Sequence, residues 1–119
     1  MSTTLDDLTR EALAFRDARE WARFHTPKNL AMSLGIEAGE LAELFQWKDD
    51  DEIAERLGSD PAYRERIAME LADLQMLLLY AAHSAGVSLA DAVRAKMAIN
   101  ERRYPVEKAR GNAKKYDEL

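Results

Sequence analysis

The sequence has no cysteine, only three prolines and five glycines, and no long apolar run. The absence of cysteine excludes disulfide stapling and a thiolate-bound zinc site, and it favours a cytoplasmic protein. The longest apolar run covers residues 76–82, whereas a membrane-spanning helix needs roughly 20 such residues. We therefore expect a cytoplasmic chain without membrane contact, in which the scarcity of proline and glycine leaves long stretches free to form helix.

The net charge is −5, which argues against a general nucleic-acid binder. The charge is uneven, because residues 94–116 hold eight basic and two acidic side chains, whereas residues 1–93 hold nine basic and 18 acidic ones. A basic end on an acidic chain suits contact with a polyphosphate, although such ends also serve only to keep a surface solvated.

Four main helices are predicted, over residues 5–24, 27–47, 61–86 and 88–103. Thr26 before Pro27, and Asp60 before Pro61, each combine a capping side chain with proline at the first helical position. Gly86 is suited to the left-handed conformation that ends a helix. The helix boundaries therefore coincide with the few prolines and glycines of the chain.

Helices with short connections and no strand alternation predict an all-α fold, an antiparallel helical bundle of four main helices. We expect a helical domain over residues 1–104 and a basic, extended C-terminal tail over residues 105–119. The connector at residues 48–60 is expected to carry a short helix at 52–57. The third main helix is apolar on nearly every face over residues 74–82, which one small bundle cannot cover, so a homo-oligomer is expected.

Two pairs of carboxylates interrupt apolar stripes on the second and third predicted helices. Glu37 falls in a stripe of leucines with Glu40 one turn later, and Glu70 and Asp73 interrupt the third helix in the same way. Each pair is spaced i, i+3, so both members project to one side of their helix. Acids facing a helical core need a partner to stay ionised, and a divalent cation supplies it. The predicted metal ligands are Glu37, Glu40, Glu70 and Asp73.

The alternative is that these acids form a coincidental surface or salt-bridged cluster, because acidic pairs are common in so acidic a chain. The run at residues 49–52 is interpreted in that way, as an exposed turn and helix start. The four acids differ from that run because they interrupt apolar stripes on two helices long enough to pack together.

The lack of suitably spaced histidines restricts which metal the four acids can bind. His25 and His83 lie at neither i+3 nor i+4 from any of the four acids, which disfavours zinc. The Glu-x-x-His pairs of di-iron bundles do not occur in the sequence. An all-oxygen set suits Mg²⁺, with Mn²⁺ as the alternative, and Mg²⁺ is commonly shared with substrate phosphates. The expected substrate therefore carries phosphates.

Two further sets of side chains suit a nucleotide. Lys96, Asn100 and Arg103 lie at i, i+4, i+7 on the fourth helix, and this stripe is either solvated surface or, if it faces the acids, a phosphate-binding surface. A second set consists of aromatic side chains at the ends of the first and second helices, which serve either as core or as a stacking surface for a base. The predicted base-binding residues of this set are Trp21, His25 and Trp47.

Together these features resemble the all-α nucleoside triphosphate pyrophosphohydrolases of the MazG type, and within them the dCTP pyrophosphatase branch. The resemblance runs from about Phe15 to the C-terminus, and it is carried by the segments NLAMSLGIEAGELAELFQWK, ELADLQMLLLY, KMAINERRYP and KKYDEL. It implies a homotetrameric enzyme of nucleotide-pool housecleaning that uses Mg²⁺ to convert a dNTP to its monophosphate and pyrophosphate.

The same resemblance implies roles for individual residues. The four acids would bind Mg²⁺, Lys96 and Asn100 would contact the phosphates, and Trp21 and Trp47 would enclose the base. No Ser-His-Asp or Cys-His set suggests a covalent intermediate, so we expect direct attack by water. Glu37 and Glu40 are the candidate catalytic residues that would orient this water.

The chain departs from the dCTP pyrophosphatase branch at two positions near the expected pocket. The branch has a His nine residues before the first Trp and a Tyr four residues after the Asp, where this chain has Ala12 and Leu77. A pocket with fewer hydrogen-bonding groups discriminates less between substrates. We therefore expect dCTP or a 5-modified dCTP as the main substrate, with measurable turnover of other pyrimidine dNTPs.

Two other functions remain as alternatives to the enzyme. The first is a non-catalytic helical oligomeric interaction module, in which the acids pair with the basic tail of another subunit. The second is a carboxylate-bridged di-iron protein.

Overall fold

The computed structural model describes residues 3–119, and this range consists of helices and irregular connections without a β-strand. The all-α prediction is therefore confirmed. The α-helices are α1 (Leu5–Ala18), α2 (Pro27–Glu43), α3 (Asp50–Ser59), α4 (Pro61–Ala85), α5 (Leu89–Arg103) and α6 (Val106–Ala109). Two compact units are formed, one that ends at Gly86 and one that comprises Val87–Leu119. The predicted boundary at residue 104 stays a prediction.

The predicted starts of α2 and α4 are confirmed, and α1 also begins with a capping side chain that the sequence offers. Thr4 and Asp7 form a reciprocal capping box at α1, and the side chain of Thr26 accepts a hydrogen bond from the Asn29 amide at α2. Asp60 caps α4 in the same way. Gly86 ends α4 at a φ of 69°, in the left-handed region that glycine adopts without strain.

Three helix boundaries differ from the predictions. The first helix ends at Ala18 rather than near residue 24, because the chain turns at Glu20, whose φ is 54°, and the Trp21 amide bonds back to the Arg16 carbonyl. The second helix ends at Glu43 rather than near residue 47. The connector carries the full helix α3, which Asp49 caps.

The C-terminal segment is also more structured than predicted. It contains α6 and a 3-10 turn at Tyr116–Glu118 instead of remaining extended. The ring of Tyr116 packs edge-on against Tyr104 at 6.1 Å, and the Arg103 guanidinium lies over it at 4.5 Å. Aromatic and cation–π contacts therefore tie this segment to the end of α5.

The core of the first unit is built around α4, which packs most extensively against α2 and also against α1 and α3. Two tyrosines of α4 are buried and anchor it through their hydroxyls. Tyr63 donates to the Leu44 carbonyl at 2.7 Å, and Tyr80 donates to the Ala12 carbonyl at 2.9 Å. Because a buried hydroxyl must find a partner, these two bonds fix α4 against the end of α2 and against α1.

Many large apolar side chains remain exposed on the single chain, including Met32, Ile36, Met69 and Leu71. The predicted homo-oligomer would cover such faces, and it stays a prediction. Within residues 3–119, no single helix is long and apolar enough to cross a membrane; α4 and α5 meet that requirement only when they are counted together.

Candidate active site

The predicted acids meet where α2 and α4 pack together. Glu37 and Glu40 lie on α2, and Glu70 and Asp73 lie on α4. One carboxylate oxygen from each of Glu37, Glu70 and Asp73 lies within 4.8 Å of the other two. Glu40 interacts with Glu37 on the same helix and is not one of the three. Three of the four predicted acids therefore converge, as their positions in the apolar stripes require, and Glu40 lies outside the three.

These acids lack the partners that would make them an ordinary polar cluster. Among residues 3–119, no ion pair includes one of the four acids. The Oε2 atoms of Glu37 and Glu70 are buried, and neither has a hydrogen-bond partner in that range. A buried carboxylate oxygen without a partner is costly. The arrangement therefore favours either a proton on one carboxyl or a bound cation.

The mutual repulsion of the acids raises the pKa values of Glu37 and Glu40. Burial raises the pKa of Glu37, and the neighbouring carboxyls of Glu70 and Asp73 raise it further, although a hydrogen bond with Glu40 opposes them. The pKa of Glu40 is raised first by hydrogen bonding with Glu37 and then by the charge of the same neighbour. Like charges held this close favour either protonation or a bound cation.

The donor set fits a hard divalent cation. It consists of carboxylate oxygens alone, and the described residues place no histidine in it. Three carboxylates supply fewer ligands than an octahedral Mg²⁺ requires, which leaves positions for water or substrate phosphates. Glu37, Glu70 and Asp73 would hold such a cation, and Glu40 lies beside them.

A cleft of about 280 Å³ opens beside the acids, near the lower end of the range for small-molecule sites. Its walls are mainly aromatic and apolar, and two of the acids lie at one side. The lining residues are Phe15, Trp21, His25, Ser33, Glu37, Asp73, Met76, Leu77 and Tyr80. A flat, partly apolar group carrying phosphates matches this combination of surfaces.

The break between α1 and α2 positions the aromatic wall of the cleft. Trp21 follows the end of α1 and packs edge-on against Phe15 with ring centroids 5.8 Å apart. His25 lies just before the capped start of α2, and its ring packs on Tyr80 at 4.5 Å. The structure thus brings two of the three predicted base-binding residues, Trp21 and His25, to the same cleft as Glu37 and Asp73.

Trp47, the third predicted base-binding residue, is not among the residues that line this cleft. Its side chain is 92% exposed, and its φ of 67° lies in the left-handed region, which is strained for a residue other than glycine. Its role in base binding stays a prediction.

Several lining residues were missed by the sequence analysis as parts of the site. Ser33 lies one turn before Glu37, and Met76 and Tyr80 continue the stripe of Asp73 on α4. Their helical spacing from Glu37 and Asp73 could have identified these residues in the sequence. Phe15 could not be found in this way, because only the packing of α1 on α4 brings it to the cleft.

The predicted phosphate-binding residues all lie on α5, in the second unit. Lys96, Asn100 and Arg103 are exposed. Asn100 lines an open depression of about 570 Å³, together with Arg94 and Tyr104. Arg103 is held over the ring of Tyr116. The contact of these three residues with phosphates stays a prediction.

Comparison with known proteins identifies the family of the chain. A model of the MazG-like family matches residues 32–119. The dCTP pyrophosphatase 1 of Bos taurus and that of Homo sapiens are each 45% identical to the chain over 116 residues, which cover 98% of this chain and 68% of the relative. A crystal structure of a pyrophosphatase from Archaeoglobus fulgidus DSM 4304 gives a TM-score of 0.78 at 39% identity, over 88% of this chain and 95% of that one. The chain therefore belongs to the MazG-like family.

Proposed function

We propose that this chain is a Mg²⁺-dependent nucleoside triphosphate pyrophosphohydrolase that converts dCTP, or a 5-modified dCTP, to the monophosphate and pyrophosphate. One observation carries the proposal: three carboxylates converge within 4.8 Å at the side of an aromatic cleft, and two of their oxygens are buried without a partner. The similarity to dCTP pyrophosphatases along 98% of the chain supports the same activity.

Different residues are assigned to the phosphates and to the base of the nucleotide. A divalent cation held by Glu37, Glu70 and Asp73 would supply Lewis acidity and offset the charge of the triphosphate. Glu40, next to Glu37, or Glu37 itself orients the attacking water and accepts its proton. In-line attack then forms the new oxygen–phosphorus bond as pyrophosphate leaves.

The cleft holds the base. Trp21 and Phe15 offer aromatic surface to any base, because every base has a π-face. Leu77 lines the cleft where the dCTP pyrophosphatase branch has a tyrosine. This apolar wall suits a pyrimidine with a substituent at position 5 and removes one group that could reject other pyrimidines.

A triphosphate also requires cationic partners that offset the charge left by the metal. Lys96, Asn100 and Arg103 on α5 are assigned to the triphosphate, with lysine and arginine neutralising oxygens that the metal does not contact. Their spacing on one helix supports this assignment.

We further propose a cytoplasmic homotetramer. The exposed apolar side chains of α2 and α4, the open apolar groove of about 360 Å³ between α1 and α4, and the exposed Trp47 support burial against further copies. A cytoplasmic location accords with the absence of cysteine.

The activity is tested with a panel of dCTP, 5-methyl-dCTP, dUTP, dTTP and dATP in the presence of Mg²⁺, with monophosphate and pyrophosphate both quantified. We expect equimolar dCMP and pyrophosphate from dCTP, with lower kcat/KM for dUTP and dTTP. A preference for the purine would contradict the substrate assignment. Failure to turn over any of the five would favour the non-catalytic interaction module.

A further inference from the structure

Two side chains that line the cleft carry a hydroxyl group, and only one of the two hydroxyls is free. That of Tyr80 is buried and donates to the Ala12 carbonyl at 2.9 Å. That of Ser33 makes no hydrogen bond with any of residues 3–119, whereas the helical hydroxyls of Thr9 and Ser59 donate to carbonyls one turn earlier. Bonding of that kind is usual for a hydroxyl inside a helix. The Ser33 hydroxyl is therefore available to a ligand.

The Ser33 oxygen is also accessible. The residue is partly buried, and within the described part of the chain its oxygen is not one of the fully enclosed polar atoms that lack a partner. Serine has only a methylene and a hydroxyl group beyond its backbone. Because the side chain is so short, its place in the lining of the cleft brings the oxygen to the cleft wall. A molecule bound in the cleft can therefore reach it.

Contacts at the two ends of the cleft show where Ser33 lies along it. At one end the ring of His25 packs on Tyr80 at 4.5 Å. At the other end carboxylate oxygens of Glu37 and Asp73 lie within 4.8 Å of each other. Ser33 lies on α2 between these ends, one turn before Glu37, which is about 6 Å along the helix axis. Its hydroxyl therefore lies between the aromatic end of the cleft and the acids.

This position corresponds to the sugar of the proposed nucleotide. The aromatic end is assigned to the base and the acids to the metal-bound phosphates, and the sugar joins these two parts of the molecule. The deoxyribose of a dNTP has one free hydroxyl group, at position 3′. A serine hydroxyl can both donate and accept, so it can pair with another hydroxyl in either direction.

We infer that the hydroxyl of Ser33 forms a hydrogen bond with the 3′-hydroxyl of the bound deoxynucleotide. The inference rests on the proposed function, since it names the group that holds the sugar in that site. A site that pairs with a hydroxyl of its substrate rejects the analogue that lacks it. Ser33 thus favours nucleotides with a free 3′-hydroxyl over 2′,3′-dideoxynucleotides.

Equilibrium binding of two non-hydrolysable probes, α,β-imido-dCTP and its 2′,3′-dideoxy analogue, tests the inference in the presence of Mg²⁺. The two probes differ only in the 3′-hydroxyl. We expect the wild type to bind the probe with this hydroxyl roughly tenfold more tightly, which is the scale of one hydrogen bond. Ser33→Ala should reduce this ratio to about one, while its affinity for the dideoxy probe changes little.

Two further variants serve as controls. Ser33→Thr keeps the hydroxyl and should retain part of the ratio. Ser59→Ala removes a helical hydroxyl on α3 that is bonded to the Glu55 carbonyl, and it should leave the ratio unchanged. Alanine is a better helix former than serine, so Ser33→Ala should fold, as thermal unfolding will show. If it does not fold, a ratio in Ser33→Thr equal to that of the wild type supports the inference, and a ratio of one overturns it.

The outcomes separate this inference from the proposed function. Equal binding of the two probes by the wild type, or an equal loss of affinity for both in Ser33→Ala, overturns the contact with the 3′-hydroxyl even if dCTP is hydrolysed. A contact between Ser33 and the base would give that equal loss. Preference for the 3′-hydroxyl that depends on Ser33, without release of pyrophosphate from dCTP, supports the inference and overturns the proposed reaction.

Discussion

Two acidic regions of the first unit contain the same kinds of side chain in opposite surroundings. Around α3 two carboxylates cap helices: Asp49 accepts a hydrogen bond from the Glu52 amide at 2.9 Å, and Asp60 accepts one from the Tyr63 amide at 3.1 Å. Arg56 also contacts Asp60 at 3.2 Å. These acids satisfy the free amides at helix starts and stabilise the helices.

Between α2 and α4 the carboxylates face one another instead. The pKa of Glu37 is raised by burial and by neighbouring acids, whereas the pKa of Asp60 is lowered by its hydrogen bond from the Tyr63 amide and by Arg56. Acidity alone therefore does not identify a site. Acids whose partners are missing from the chain indicate where a ligand binds.

The largest expected effect comes from removing one charge between α2 and α4. Glu37→Gln and Asp73→Asn keep the shape of the side chain but lose a metal ligand. Because a catalytic metal contributes several kcal/mol to the transition state, we expect kcat for dCTP to fall by more than roughly a hundredfold, as measured by pyrophosphate release.

The matched control is Asp51→Asn, which removes an exposed charge from the first turn of α3. It should leave kcat close to that of the wild type. Near-full activity in Glu37→Gln or Asp73→Asn, or an equal loss in Asp51→Asn, would remove the distinction between the two acidic regions.

A smaller effect is expected at the basic end of the chain. Lys96→Ala should lower kcat/KM for dCTP by about tenfold, since it removes one charge from the surface assigned to the triphosphate. The defect should shrink as salt is added, because salt screens that attraction. Lys108→Ala removes a comparable exposed charge and serves as the control. Equal effects in both variants would show that Lys96 has no specific role in binding the triphosphate.

Metal binding between α2 and α4 should also be measurable by thermal unfolding. Mg²⁺ should raise the Tm of the wild type by a few degrees, because a ligand of the folded state stabilises it. Glu37→Gln should lose this response and be more stable than the wild type in EDTA, because one repelling charge is gone. An equal Mg²⁺ response in the two proteins would contradict the site.

The smallest effect is expected at the cap of α4. Asp60→Ala should lower the Tm slightly at pH 7 and leave kcat unchanged, and Asp60→Asn should lower it less, because asparagine also caps helices. Because the pKa of Asp60 is lowered from 3.8 in the folded chain, its ionised form stabilises the fold above that value. This contribution is lost as the pH falls through the lowered pKa, so the difference between Asp60→Ala and the wild type should narrow in acid. A difference that grows in acid would contradict this role.

The features that sequence predicted are those set by local chemistry or by helical spacing. Thr26, Asp60 and Gly86 mark helix boundaries because capping and left-handed turns act within a few residues. The convergence of Glu37 with Glu70 follows from their places in apolar stripes, since those stripes decide which faces of α2 and α4 pack together.

The features that sequence did not predict depend on contacts between distant segments. The early end of α1 places Trp21 against Phe15, and the hydrogen bond from Tyr80 to Ala12 joins residues 68 positions apart. Neither contact leaves a periodic signal. Trp47 is a further example. The apolar pattern predicted helix up to residue 47, but α2 ends at Glu43 and Trp47 has a left-handed backbone conformation.

The most direct test of the metal site is a crystal structure of the chain soaked in Mn²⁺, with the metal located by its anomalous scattering. We predict a peak within bonding distance of carboxylate oxygens of Glu37, Glu70 and Asp73, and none at Asp49 or the first turn of α3. A strong peak beside α3, or an empty site between α2 and α4 at saturating Mn²⁺, would contradict it.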